Sequence, residues 1–91
     1  MNRKEILKDA NIKISQERAA EYGDAFQTHV RVAKMWSAIL GHEVTVPQVY
    51  QCMIAIKLGR LSFSPEHIDS WVDIAGYAAL GGEAPEEQQE K

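Results

Sequence analysis

Three short breaks, "YGD" at 22–24, "GHEVTVPQ" at 41–48 and "SFSPEH" at 62–67, cut this chain into four segments of helix length. Each break pairs a stop with a start. Gly23 suits a left-handed stop and Asp24 a cap. Gly41 ends one segment, while Thr45, Pro47 and Gln48 open the next as cap, first-turn proline and capping-box partner. Ser64 and Pro65 repeat the cap-and-proline start. Upstream, Asn2 with Glu5 three residues later makes another capping box.

Between the breaks the apolar residues recur at helical spacing. The first helix is predicted over 3–22, with Ile6, Ala10 and Ile14 as its stripe and Leu7 beside them. The second, 25–40, aligns Phe26, Val30, Ala33, Ser37 and Leu40, widened by Trp36 and Ile39. The third runs from Val49 to Leu61 after its Thr45 cap and is apolar on more than one side. The fourth, 65–80, carries Ile68, Trp71, Val72, Ala75 and Ala79, and Gly81–Gly82 is predicted to terminate it. No alternating strand pattern competes. The expectation is an all-α fold: one compact four-helix domain over 1–82 with short loops, and an acidic, disordered tail over 83–91. A helix as broadly apolar as the third belongs at the centre of a bundle or at a subunit interface, so a homo-oligomer is expected.

Composition narrows the function classes. The tail holds four acids and one lysine, leaving nine acids and nine Lys/Arg in residues 1–82. A formally neutral body argues against a general nucleic-acid binder, which needs a basic face. No apolar run reaches membrane-spanning length and the first residues are charged, so neither a membrane partner nor a signal peptide is expected. The single cysteine, Cys52, lies in an apolar run and reads as a small hydrophobe in a reducing cytoplasm. No Ser-His-Asp arrangement, Cys-x-x-Cys or Gly-rich phosphate loop is present.

Asp69 and Asp73 are one turn apart beside the apolar face of the last helix, with Gly76 on the same stripe. Carboxylates there need partners. One reading pairs them with Lys57 and Arg60 across the last helical hairpin. Another makes them ligands for Mg²⁺. The remaining polar residues without an obvious solubility role are cationic or aromatic: Arg18 and Tyr22 beside the first turn, Trp36 on the second helix, Lys57 and Arg60 on the third, Tyr77 on the fourth. Arg and Lys recognise phosphates, and Tyr and Trp stack on bases.

Arg18, Tyr22, Gly23, Trp36, Lys57, Arg60, Asp69, Asp73, Gly76 and Tyr77 follow an Arg-x-x-x-Tyr-Gly … Lys-x-x-Arg … Asp-x-x-x-Asp-x-x-Gly-Tyr pattern. In this the chain resembles a family of small phage-encoded helical proteins of uncharacterised function. The resemblance covers most of residues 5–80 and implies a phage protein working in the cytoplasm of the infected host cell. More distantly, the last helix is similar to the acidic helix of MazG-like nucleotide pyrophosphohydrolases, which implies Mg²⁺ held by Asp69 and Asp73. The first Glu-x-x-Glu pair of those enzymes has no counterpart in "THVRVAKMW" or "QCMIAIKLGR".

The leading expectation is a protein that binds a phosphorylated, nucleotide-like small molecule through Arg18, Tyr22, Trp36, Lys57, Arg60 and Tyr77. It would act without catalysis or cofactor, as by sequestering a host immune nucleotide signal in anti-defence. The alternatives are a MazG-like Mg²⁺-dependent pyrophosphohydrolase and a helical protein–protein interaction module.

Overall fold

The computed structural model describes residues 1–15 and 24–89. Four α-helices make up the described fold: α1 (Arg3–Ile14), α2 (Ala25–Leu40), α3 (Val46–Phe63) and α4 (Ile68–Gln89). The caps that start α1, α2 and α3 and the one that ends α2 are those the sequence predicts. Asn2 accepts from the Glu5 N–H at 2.9 Å and Glu5 returns the bond at 3.1 Å. Asp24 accepts from the Gln27 N–H at 2.9 Å, and the Thr45–Gln48 box closes at 2.9 and 3.3 Å. Gly41 ends α2 in the left-handed conformation, at φ 77°. Such a cap satisfies one of the carbonyls a helix end leaves bare. Ser37, placed by its spacing on the apolar stripe of α2, fastens the following loop: its hydroxyl donates to the Ala33 carbonyl at 2.7 Å and accepts from the Val44 N–H at 2.8 Å.

Three boundaries differ from the sequence expectation. The first helix ends at Ile14 rather than running to 22. Ser15 turns extended and directs both its N–H (3.3 Å) and its hydroxyl (2.9 Å) to the Ile12 carbonyl, the local competition that makes serine a poor helix interior. The remainder of that expected helix, with Gly23, lies outside the described residues.

At the other end, Pro65 does not open α4. It sits in a turn closed by the His67 N–H on the Ser64 carbonyl at 3.1 Å, and its own carbonyl accepts the Trp71 indole N–H at 2.9 Å. The helix starts at Ile68 and then runs straight through Gly81–Gly82 to Gln89. Tertiary packing overrides the glycine signal there. Leu80 and Ala84 are buried, and Gly81 lies over the Tyr50 ring, where a Cβ would be 3.5 Å from the Tyr50 Cβ.

This continuation has a direct test. Nothing lies within 4 Å of a Cβ added at Gly82, and its φ is not positive. Gly82→Ala should therefore raise stability by about 0.5–1 kcal/mol, seen as a higher melting temperature. Had the helix stopped at 81, the same change would strain a left-handed cap and lower it.

The helices pack in the spatial order α1–α4–α3–α2, with the α3/α4 hairpin as the most extensive interface. Tyr50 meets Gly81 while Lys57 meets Asp73, so numbering falls on α3 as it rises on α4 and the two are antiparallel. Gly76 is a packing glycine: a Cβ there would sit 3.3 Å from Ile14 Cγ2, which lets α1 approach α4 closely. The core joins Phe26, Ala33, Val44, Val46, Val49, Tyr50, Leu80 and Ala84. The third helix thus has neighbours on two sides, but its remaining side is open. Cys52, expected as a small buried hydrophobe, is exposed there.

Candidate functional site

Charges and aromatics converge along the α3/α4 seam. Lys13, near the end of α1, places its Nζ between the two aspartates, 2.5 Å from Asp69 Oδ1 and 3.0 Å from Asp73 Oδ1. Asp73 is bridged from its other oxygen, Oδ2, by Lys57 Nζ at 3.0 Å. The result is a ladder, Asp69–Lys13–Asp73–Lys57, stitching three helices together. Lys57 and Asp73 pair as one sequence reading anticipates. Arg60 does not join: it is exposed and makes no ion pair with either aspartate. Lys13, which the sequence reading missed, holds the centre.

The electrostatics follow from this geometry. Burial pulls the Lys13 ammonium down, but hydrogen bonds and charge from Asp69 and Asp73 outweigh it and hold it above its ordinary value. The hydrogen bond from Lys13 draws the Asp69 carboxyl below its usual range, with the Lys13, His67 and Lys57 charges adding to the effect. Both aspartates aim an oxygen at one point, the position of a cation, and the Lys13 ammonium is there. A Mg²⁺ ion bound by the pair would have to displace it. Among the described residues no three His, Cys, Asp or Glu side chains gather as a metal site.

One turn along α4 from Asp73, Tyr77 meets two further rings. His29 lies 4.7 Å from Tyr50 and 5.9 Å from Tyr77, centroid to centroid and edge to face, and the tyrosines are 6.4 Å apart. Tyr50 is 1% exposed; His29 and Tyr77 are half-buried. The buried Nδ1 of His29 has no hydrogen-bond partner among the described residues. Leaving such an atom unpaired is costly, so its presence needs a reason. Burial pushes the imidazole below its ordinary value, only partly offset by the Ala25 carbonyl one turn earlier.

The sign of the resulting pH dependence is fixed. The unfolded chain protonates His29 near its ordinary value of about 6.5, before the folded protein does. Its contribution is full above that value and lost as pH falls from there toward the lower folded value. His29→Gln should flatten that part of the stability curve, as followed by thermal melts between about pH 7.5 and 5.

Of the other residues singled out in the sequence, Trp36 packs half-buried against the core and takes no part in the ladder's ion pairs. Arg18 and Tyr22 lie outside the described residues. A separate cleft of about 270 Å³ lies where the end of α1 and the start of α2 face α4, lined among others by Asn11, Asp24, Phe26 and Glu83. Among its described lining residues there is no lysine or arginine. No described helix is long and apolar enough to cross a membrane.

Comparison with known proteins finds relatives encoded by phages. The chain is 42% identical over 76 residues to the Gene 55 protein of Mycobacterium phage L5, covering 82% of this chain and 49% of that protein. It is 34% identical over 73 residues to the Gene 55 protein of Mycobacterium phage D29, covering 80% of this chain and 48% of that one. The chain thus spans about half the length of the curated relatives it matches. No solved structure matches it. Residues 5–85 match the domain of unknown function DUF6378, a span holding all of the ladder and all three clustered rings. The chain belongs to the DUF6378 family.

Proposed function

We propose that this domain binds a phosphorylated, nucleotide-like small molecule without transforming it, and that in an infected cell it withholds such a molecule from the host as an anti-defence device. The observation that carries the reading is the His29–Tyr50–Tyr77 cluster, in which the buried Nδ1 of His29 makes no hydrogen bond of good geometry among the described residues. An imidazole nitrogen beside the half-buried Tyr77 ring is completed by the polar edge of a planar heterocycle, which stacks on that ring. Lys57, bound to Asp73 one turn from Tyr77, and the exposed Arg60 one turn beyond Lys57, which makes no ion pair among the described residues, supply the cations for a phosphate on that heterocycle. Arg18 and Tyr22 complete the expected set.

Incubation with a panel of linear and cyclic nucleotides, followed by chromatography of the free pool before and after heat denaturation, tests this reading. A nucleotide that disappears and returns intact on heating supports it. Tyr77→Ala and Arg60→Ala should then each weaken retention about tenfold or more. A pool unchanged for every nucleotide would sink it.

The convergence of Asp69 and Asp73 on one cation position favours a second reading, the MazG-like Mg²⁺-dependent pyrophosphohydrolase. Release of a monophosphate and pyrophosphate in the same assay would establish that enzyme instead.

A further inference from the structure

The solvent side of α3 is unlike a solvent side. Between Gln48 and Phe63 one side of α3 carries Gln48, Cys52, Ala55, Ile56, Gly59 and Phe63, all of them exposed, with the exposed Gln51 and Ser62 beside them. Ile56 is 58% and Phe63 93% exposed. None of the six is charged, whereas an ordinary water-facing helix surface is rich in Lys, Glu and Arg. Arg60 lies on the flank, while Lys57 turns inward to Asp73. Gly59 sits in mid-helix with nothing within 4 Å of an added Cβ. A glycine there weakens the helix relative to alanine, and nothing among the described residues requires it.

We infer that this face is where a second copy of the chain docks, α3 against α3, antiparallel and related by a two-fold axis. The pattern is self-complementary. An axis between residues 57 and 58 puts Ile56 over the Gly59 gap of the other copy and Phe63 over its Cys52, so a bulky side chain meets a small one at each pairing. An isologous interface needs that property of a single patch. Helix backbones approach closely where small residues line the contact, which gives Gly59 its reason.

The area suffices. The face is about 24 Å long. Ile56 and Phe63 alone leave on the order of 300 Å² of apolar surface open. With the smaller residues and the Arg60 stem, each copy offers roughly 600 Å², so a pair buries about 1,200 Å², the lower bound for a specific interface.

Light scattering coupled to size exclusion over a micromolar concentration series tests this. The unmodified chain should run as a dimer that dissociates on dilution. Phe63→Asp and Ile56→Glu should each weaken association by at least about 100-fold, because the loss is counted twice across the axis. Circular dichroism should find their helix content unchanged, since Phe63 is almost wholly exposed and Ile56 is more exposed than covered in the monomer. Gly59→Leu separates an interface from a merely tolerant surface: it should weaken the dimer while raising the melting temperature of the dilute monomer. A chain monomeric throughout, or a dimer that survives all three substitutions, overturns the inference.

Discussion

Tyr50→Ala should destabilise the fold by about 3–5 kcal/mol, the largest loss expected from any single substitution here. The ring is 1% exposed and has Gly81 lying over it, with His29 and Tyr77 packed edgewise beside it. Removing it opens a cavity where α2, α3 and α4 meet, and it removes the surface that carries α4 past its glycines. The loss therefore has a regional signature. Hydrogen exchange should accelerate first in α4 beyond Leu80 and only then in the α3/α4 hairpin. Tyr50→Phe keeps the ring and should cost far less. Denaturant unfolding of the two variants checks both magnitudes, and comparable losses for Ala and Phe would show that the hydroxyl, not the ring, holds this junction.

That junction also marks where the sequence ceased to be legible. The starts of α1, α2 and α3 and the end of α2 were readable because a cap is made within three or four residues of itself: Asn2 with Glu5, Asp24 with Gln27, Thr45 with Gln48. The course of α4 beyond residue 80 was not. Two consecutive glycines are a local stop signal, and the contacts that override it come from Tyr50, some thirty residues away in sequence. The early end of α1 at Ser15 had a local cause, but serine is tolerated often enough within helices that the residue alone does not announce it.

The candidate site divides in the same way. Lys57–Asp73 was legible because both residues lie on one hairpin, which fixes its own register. Lys13 was not, for it is separated from Asp69 by 56 residues and from Asp73 by 60. One signal pointed to it: a lysine flanked by Ala10 and Ile14 stands at the edge of a buried stripe, where an ammonium seeks a carboxylate. His29 reads as an ordinary surface histidine until Tyr50 and Tyr77 are seen to close around it. Spacing within a helix cannot disclose rings supplied by two others.

Asp73→Asn should cost about 2 kcal/mol, the second large effect, while Asp69→Asn should cost little. The two aspartates share Lys13 but not their surroundings. Asp73 has a side chain 18% exposed and touches both lysines, and its partner Lys57 is 20% exposed, so neutralising it strands a half-buried ammonium on α3. Asp69 is 58% exposed, where solvent screens the pair and replaces the lost carboxylate. Repeating the melts with and without Mg²⁺ gives the comparison its second use. If the carboxylates work as a ladder for lysines, Mg²⁺ leaves the melting temperature unchanged in all three proteins. If they hold the ion, Mg²⁺ raises it in the unmodified chain, and both substitutions abolish that rise, since a shared ion depends on Asp69 as much as on Asp73. The ladder predicts unequal stability losses and metal indifference; a metal site predicts an equal loss of metal response.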